Sequence, residues 1–310
     1  MADQGDSQLR SAQAPNAGDR LRKFKAKPPT LFIRHDFKAG KFAGRLIFIG
    51  DIHGCPKELD ELLAKVKFIP GKDQVVLVGD LVAKGPDSVG VVRRARQIRA
   101  WGVRGNHDDK VVKWYEFLHG PAKSMKEQDI EAIKVSDLPY DSFKSKTADA
   151  HYKIARKMSP KDYKYLAALP VIMVFSEPFA QWIVVHGGLD PSRPLLKQKA
   201  MDVMVMRNIT ASGPTKDKHR GSPWFKLWGK AMAELCESAD GSDKAENADH
   251  SAHYTKVIYG HDASHALQIH NYTKGLDSRC VYGGELTAFI LPGETLVSVK
   301  SPMYCTPKLD

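Results

Sequence analysis

The sequence predicts a mixed α/β fold: two β-sheets packed face to face as a sandwich, flanked by helices. Three observations predict it. From Leu46 to Arg104, strand-like apolar runs alternate with helical periodicity, the β-α-β-α-β order of a parallel sheet covered by helices. Five more strand-like runs follow in the second half, a strand count that suits two stacked layers. Several strands are closed at once by short polar blocks containing Gly, Asp, Asn or His.

Residues 1–30 are rich in Gln, Asn, Ser, Gly and Pro and are expected to form a disordered basic tail. The domain is expected to occupy residues 31–310, with no role assignable to its first few residues. Leu46–Ile49 reads as a buried strand. Pro56 opens a helix on which Leu59, Leu62, Leu63 and Val66 share one face. Residues 75–78 form the next strand. Val89, Val92 and Ile98 mark a second helix, with Arg93, Arg94, Arg96 and Arg99 largely on its wet side. Residues 101–104 form a third short strand. From about Asp109 to Leu169 the chain is Lys-rich and lacks a good strand, so it reads as a helical insertion. One of its helices begins at Pro160 with Ser159 as N-cap. Strands return at residues 171–175, 182–185, 257–259, 286–291 and 296–299, and the polar run 238–251 is expected to be an exposed loop.

The net charge is +11, and residues 1–45 hold ten Lys/Arg against four Asp/Glu. Arg20, Arg22, Lys23, Lys25 and Lys27 crowd into one stretch. A solvated arm is the plain explanation; the functional one is a nucleic-acid contact through residues 20–27. A second basic stretch holds Lys144, Lys146, Lys153, Arg156, Lys157, Lys161 and Lys164. Placed over a site, it would favour polyanionic substrates. Every apolar run is too short to cross a bilayer, so no membrane partner is expected. The N-terminus has no apolar leader, and a cytoplasmic location is expected, with nuclear import as the alternative. Four scattered cysteines without a C-x-x-C pair exclude a cysteine zinc site and fit a reducing compartment.

The chemistry lies in five blocks: Gly50-Asp51-Ile52-His53-Gly54, Gly79-Asp80-Leu81-Val82-Ala83-Lys84-Gly85, Gly105-Asn106-His107-Asp108, His186-Gly187-Gly188 and Tyr259-Gly260-His261. Side chains at the ends of neighbouring strands converge, which is where such sheets bind ligands. Asp51, Asp80 and Asn106 each follow a strand by one glycine. Singly, each residue has an ordinary use: helix caps for the aspartates, a turn for Asn106, a core histidine for His186. Together, hard oxygens and imidazoles suit zinc, iron or manganese. Two such ions about 3.5–4 Å apart can share a carboxylate and drive phosphoester hydrolysis.

These blocks resemble the phosphoprotein-phosphatase branch of the calcineurin-like metallophosphoesterases. Over residues 46–300 the chain is most similar to the ApaH-like phosphatases, related to bacterial symmetrical diadenosine tetraphosphatase. Besides the block at Gly79, the resemblance rests on Met204-Val205-Met206-Arg207, on Pro223-Trp224-Phe225 and on the stretch from Gly275 to Gly284. It implies the metallophosphoesterase fold and two metal ions (Mn, Zn or Fe). Asp51 and His53 would hold the first ion, Asp80 would bridge, and Asn106, His186 and His261 would hold the second. It implies His107 as the acid for the leaving oxygen, with Lys84 and Arg207 binding phosphate.

The protein Ser/Thr phosphatases usually carry an Asp-Arg pair where this chain has Ala83-Lys84. That Asp orients the acid histidine. Ala83 offers no side-chain acceptor, so His107 needs another partner. Lys84 is a point charge and imposes phosphate geometry less strictly than a guanidinium. Both departures, with Asp108 where Glu is commoner, are shared by the ApaH-like subfamily. The resemblance implies an enzyme acting on dinucleoside polyphosphate, inorganic polyphosphate or an RNA cap. A protein Ser/Thr phosphatase and a non-catalytic metal-binding regulatory module are the alternatives.

Overall fold

The computed structural model describes residues 23–37, 44–131, 133, 140, 148–239 and 255–307. Its elements in chain order are β1 (Phe32–His35), β2 (Leu46–Ile49), α1 (Pro56–Lys65), β3 (Gln74–Leu77), α2 (Ser88–Gln97), β4 (Trp101–Gly102) and α3 (Asn106–His119). Then come α4 (Glu127–Glu131), α5 (Ala148–Lys157), α6 (Pro160–Ala168), β5 (Ile172–Phe175), β6 (Trp182–Val184), a 3₁₀ turn (Leu195–Lys197) and α7 (Ala200–Val205). Three short strands follow, β7 (Asn208–Thr210), β8 (Gly213–Thr215) and β9 (Ser222–Pro223), then α8 (Trp224–Ala239). The chain closes with β10 (Lys256–Tyr259), β11 (Gln268–Ile269), β12 (Thr273–Gly275), β13 (Glu285–Leu291) and β14 (Thr295–Lys300).

One sheet has the order β1-β5-β6-β10-β12-β11 and the other β14-β13-β2-β3-β4, while β8-β7-β9 form a small third sheet. In the second sheet β2, β3 and β4 run parallel, so their C-terminal ends share one edge. In the first, β6 and β10 also run parallel.

Strand alternation builds the layers. Leu46 and Phe48 of β2, Met173 and Phe175 of β5, Trp182 and Val184 of β6, and Phe289 and Leu291 of β13 meet between the sheets. Ile47, Ile49, Ala288 and Ile290 point the other way, into a core shared with α1, α2 and α3. Ile172, Val174, Ile183 and Val257 face outward against α7 and α8. With both faces of each sheet covered, strands such as Leu46–Ile49 are apolar throughout. The expected two-sheet sandwich flanked by helices is what the chain forms.

Local departures have physical causes. β4 is shorter than the expected 101–104: Val103 N still donates to Leu77 O, but Arg104 N turns away to Pro170 O. The segment at residue 31 is an edge strand, β1, paired in parallel with β5. Residues 23–30, expected in the tail, lie against α3. Phe24 packs edge-on to Phe117 with ring centroids 5.8 Å apart, and Lys27 N donates to Glu116 at 2.7 Å. Lys23, Lys25 and Lys27 are exposed, whereas Arg20 and Arg22 lie outside the described residues. Ser238 and Ala239, expected in a loop, end α8 instead, and residues 240–251 of that expected loop lie outside the described residues.

The expected insertion contains α4, α5, α6 and most of α3, and no strand among its described residues. Ser159 caps α6 as expected: its hydroxyl accepts from Asp162 N, and the Asp162 carboxylate accepts from Ser159 N. α5 lies on α3, with the Tyr152 and Trp114 rings 5.3 Å apart. Lys144 and Lys146 are outside the described residues; Lys153, Arg156, Lys157, Lys161 and Lys164 are exposed. No helix among the described residues is long and apolar enough to cross a membrane.

The inter-sheet core is the mechanical base of everything above it. Phe48 is fully buried there, its ring 6.0 Å from Phe175 and 6.4 Å from Phe289. Phe48→Ala is expected to cost about 3–5 kcal/mol of stability. Urea unfolding should show the loss as a lower midpoint at unchanged slope.

Candidate metal centre

All five polar blocks meet at the C-terminal ends of β2, β3, β4, β6 and β10. Six side chains expected as ligands are drawn from both sheets. Ligand atoms of Asp51, His53 and Asp80 lie within 4.8 Å of one another, as do those of Asp80, His186 and His261. Asp80 belongs to both groups, and all five residues are buried. Asn106 joins the second group, its Oδ1 lying 3.2 Å from His186 Nε2.

Each of the three imidazoles uses one nitrogen on a backbone carbonyl. His53 Nδ1 donates to Val82 O at 3.0 Å, His186 Nδ1 to Val78 O at 2.9 Å, and His261 Nε2 to Val205 O at 3.1 Å. That orients each ring so that its other nitrogen can offer a lone pair to a metal, the usual support for a metal-bound imidazole. His53 Nε2 is 3.6 Å from Asp80 Oδ2 and 3.9 Å from Asp51 Oδ2, and His186 Nε2 is 3.3 Å from Asp80 Oδ1. Ligand atoms sharing a cation at about 2 Å stand at such separations. His53 Nε2 also accepts a cationic donor, Lys84 Nζ, at 2.8 Å. Oxygen and imidazole donors in these positions fit a pair of transition-metal ions.

Burial and close neighbours shift every one of these groups. Burial, then the neighbouring Asp277, pushes the Asp51 carboxyl well above its usual range. Burial also works against Asp80, but His186 and His107 hold it well below that range. His186 would be lowered by burial, yet Asp80 and Asp51 lift it to about 10. Burial and the Lys84 ammonium drop His53 to about 3. Burial and Arg207 take His261 well below the usual imidazole value.

The backbone is bent to reach this arrangement. His53, Asp80, Ala83, Lys84 and His261 all have positive φ, between 47° and 75°. Such left-handed conformations are costly for residues with a Cβ and concentrate where a site over-determines them. Neighbouring glycines let the carboxylates pack close. A Cβ on Gly260 would lie 2.0 Å from Asp51 Oδ1, and one on Gly105 would lie 2.2 Å from Asp80 Oδ1.

His107 follows Asn106 at the N-terminus of α3. Its backbone N donates to Asp80 Oδ1 at 2.8 Å, and its ring stands perpendicular to that of His53, centroids 5.1 Å apart. Burial lowers its pKa well below the usual imidazole value, with Asp80 opposing. Lys84 Nζ sits over the Tyr282 ring, 5.1 Å from its centroid. Burial works against its charge, but Asp80 and then Tyr282 raise its pKa. Arg207 lies beside His261, its Nη2 3.4 Å from His261 O and its Nε 3.8 Å from Asp262 Oδ1.

Four neighbours carried no assigned role from the sequence. Asp277 and Tyr282 lie in the Gly275–Gly284 stretch used only for the resemblance. Asp108 accepts from Gly105 N and Leu81 N at 2.9 Å each, bracing the Asp80 and Asn106 loops on each other. Burial and Asp80 raise its pKa to about 7. His151 comes from the insertion and touches His107, its Nε2 2.9 Å from His107 Nδ1. Its only sequence signal was a histidine on an otherwise basic helix.

Residues 44–283 match the family model for the calcineurin-like phosphoesterases. The chain is 27% identical to the asymmetrical bis(5'-nucleosyl)-tetraphosphatase PrpE of Oceanobacillus iheyensis, over 83% of this chain and 92% of that protein. It is also 27% identical to a symmetrical bis(5'-nucleosyl)-tetraphosphatase of a Janthinobacterium species, over 84% and 97% of the two chains. A crystal structure named, provisionally, as a diadenosine tetraphosphatase superposes with a TM-score of 0.63 at 32% identity, covering 86% of this chain and 97% of that one.

The glycine contacts yield a test of the centre. Gly260→Ala forces the Asp51 carboxylate aside and is expected to weaken metal binding roughly 10–100-fold. Titration of the metal-stripped protein would measure it; wild-type affinity would show that Asp51 is not held by that contact.

Proposed function

The chain belongs to the calcineurin-like phosphoesterases, hydrolases of phosphoester and phosphoanhydride bonds, and we propose that its substrates are dinucleoside polyphosphates. One observation carries the reading: two buried sets of oxygen and imidazole donors share one carboxylate, Asp80. Asp51 and His53 are assigned to one ion, Asn106, His186 and His261 to the other, and Asp80 to both. Manganese, zinc and iron suit these donors. When bound, such a pair supplies Lewis acidity, activating water as nucleophile and offsetting charge on the phosphoryl oxygens.

The chain's own residues do the rest. Lys84 and Arg207 flank the site and hold the phosphate, Arg207 with a fork and Lys84 with a point charge. His107 gives its Nε2 proton to the leaving oxygen as the P–O bond breaks. A phosphate anion against its ring favours the imidazolium that burial alone disfavours.

A cleft of about 450 Å³ begins at Lys84 and runs between α2 and α5. Arg93, whose Nε is 3.4 Å from Asp162, and Lys157 line it, with Asp87, Val89 and Ile154. That volume suits part of a nucleotide, and the cations suit phosphates beyond the one being attacked. This favours an extended polyphosphate over an isolated phosphoester. The basic stretch 20–27 is proposed only as an auxiliary contact for a nucleic acid such as capped RNA.

Metal-loaded protein should cleave diadenosine tetraphosphate faster than long-chain polyphosphate, capped RNA or a phosphopeptide. Asp80→Asn should abolish turnover while leaving the circular dichroism spectrum unchanged. Fastest cleavage of the phosphopeptide would move the substrate to phosphoproteins. Lys157→Glu should raise KM for diadenosine tetraphosphate roughly tenfold, the worth of one charge-assisted contact. The same variant should leave p-nitrophenyl phosphate kinetics unchanged; an equal effect on both would detach the cleft from substrate binding.

A further inference from the structure

His53, His186 and His261 each place a ring nitrogen on a backbone carbonyl, but His107 places its Nδ1 on another side chain. His107 Nδ1 and His151 Nε2 are 2.9 Å apart, and the ring centroids 5.0 Å, at 27°. His151 has no solvent exposure. It sits on α5, which is anchored by Tyr152 on Trp114 and by the buried Ala155 and Met158. On the loop at Ala83, both backbone groups of that residue are already engaged, its N donating to Ser88 Oγ at 2.9 Å and its O accepting from Gly85 N at 2.9 Å, and its methyl side chain offers no acceptor. The acceptor that the Ala83 loop lacks is supplied by the helical insertion.

We propose that His151 is the positioning residue for His107. Its Nε2 accepts the Nδ1–H of His107 and fixes the ring so that Nε2–H faces the leaving oxygen. This rests on the acid role given to His107 above. During turnover the electron pair of the breaking P–O bond stays on the leaving oxygen and takes the Nε2 proton, while water supplies the new oxygen on phosphorus. His107 keeps its Nδ1–H throughout, so the bond to His151 persists and the ring does not turn over between cycles. A general acid must be held within hydrogen-bond reach of its target, and a misaligned one loses most of its effect.

The test uses the full, metal-loaded chain and four variants: His151→Phe, His151→Gln, His107→Ala and the double His151→Phe/His107→Ala. Phe keeps a ring and removes the acceptor; the Gln amide oxygen can replace it. His151→Phe should lower kcat on an alkyl phosphate roughly 10–100-fold and barely change p-nitrophenyl phosphate, whose leaving group needs no acid. His151→Gln should recover most of the loss, and the double variant should be no slower than His107→Ala. Metal content should be unchanged in all four. Independently of activity, ¹⁵N imidazole spectra should show His107 protonated at Nδ1 in wild type and His151→Gln, with that preference lost in His151→Phe. Equal loss on both substrates, no recovery with Gln, or additive losses in the double variant would overturn the positioning role. If His107→Ala discriminates between the substrates and the His151 variants do not, the positioning role alone falls. If His107→Ala slows both substrates equally, the acid role has failed and this proposal with it.

Discussion

Four carboxylates, Asp51, Asp80, Asp108 and Asp277, are buried within interacting distance at the ends of the two sheets. Like charges out of water repel strongly and shift one another's protonation. The rest of the molecule is arranged around that cost. Asp80 has the most support: His107 N donates to it, His186 and His53 lie against it, and Gly105 is small enough to let it in. Asp51 accepts from His261 N through both oxygens at 3.1 Å. Asp108 accepts three backbone N–H groups, from Gly105, Leu81 and Val82. These carboxylates are therefore held by the protein's own N–H groups, which fixes their positions as ligands.

The sandwich supplies the rigidity that this demands. Five site residues are held at positive φ, each at a cost of order 1 kcal/mol or more. Such strain persists only where packing leaves no relaxed alternative. Phe48, Phe175, Trp182 and Phe289 lock the sheets together directly beneath, so the strand ends cannot splay to relieve it. The fold and the site are thus one energetic unit: the core stabilises, and the strained loops spend part of that stability on geometry.

Much of this was legible in the sequence because the signals were local. Each expected ligand lies two to four residues beyond the end of an apolar strand, so the strand's end fixes where the ligand must lie. What was not legible depends on contacts distant in sequence. β1 was unassignable because its partner, β5, lies about 140 residues later. Phe24 is one aromatic in a polar stretch, and only its fit against Phe117 marks residues 23–30 as part of the packed chain. His151 was hidden because the rotation of α5 is set by Tyr152, Ala155 and Met158 against α3, not by any motif.

The same helix connects two features that the sequence kept apart. α5 presents His151 to His107 on one side, while Ala150, Ile154 and Lys157, spaced at helical intervals, wall the cleft that begins at Lys84. Ala83 offers no side-chain acceptor from the sheet edge, and the side chain that meets His107 Nδ1, His151, comes from a separate helical layer. A ligand in the cleft would touch the helix that carries His151. Phosphates gripped between Arg93 of α2 and Lys157 of α5 would tie α5 to α2 and so steady the helix that carries His151. Remote binding energy can then be used to align the proton donor, which is how an enzyme converts contacts far from the reacting bond into rate.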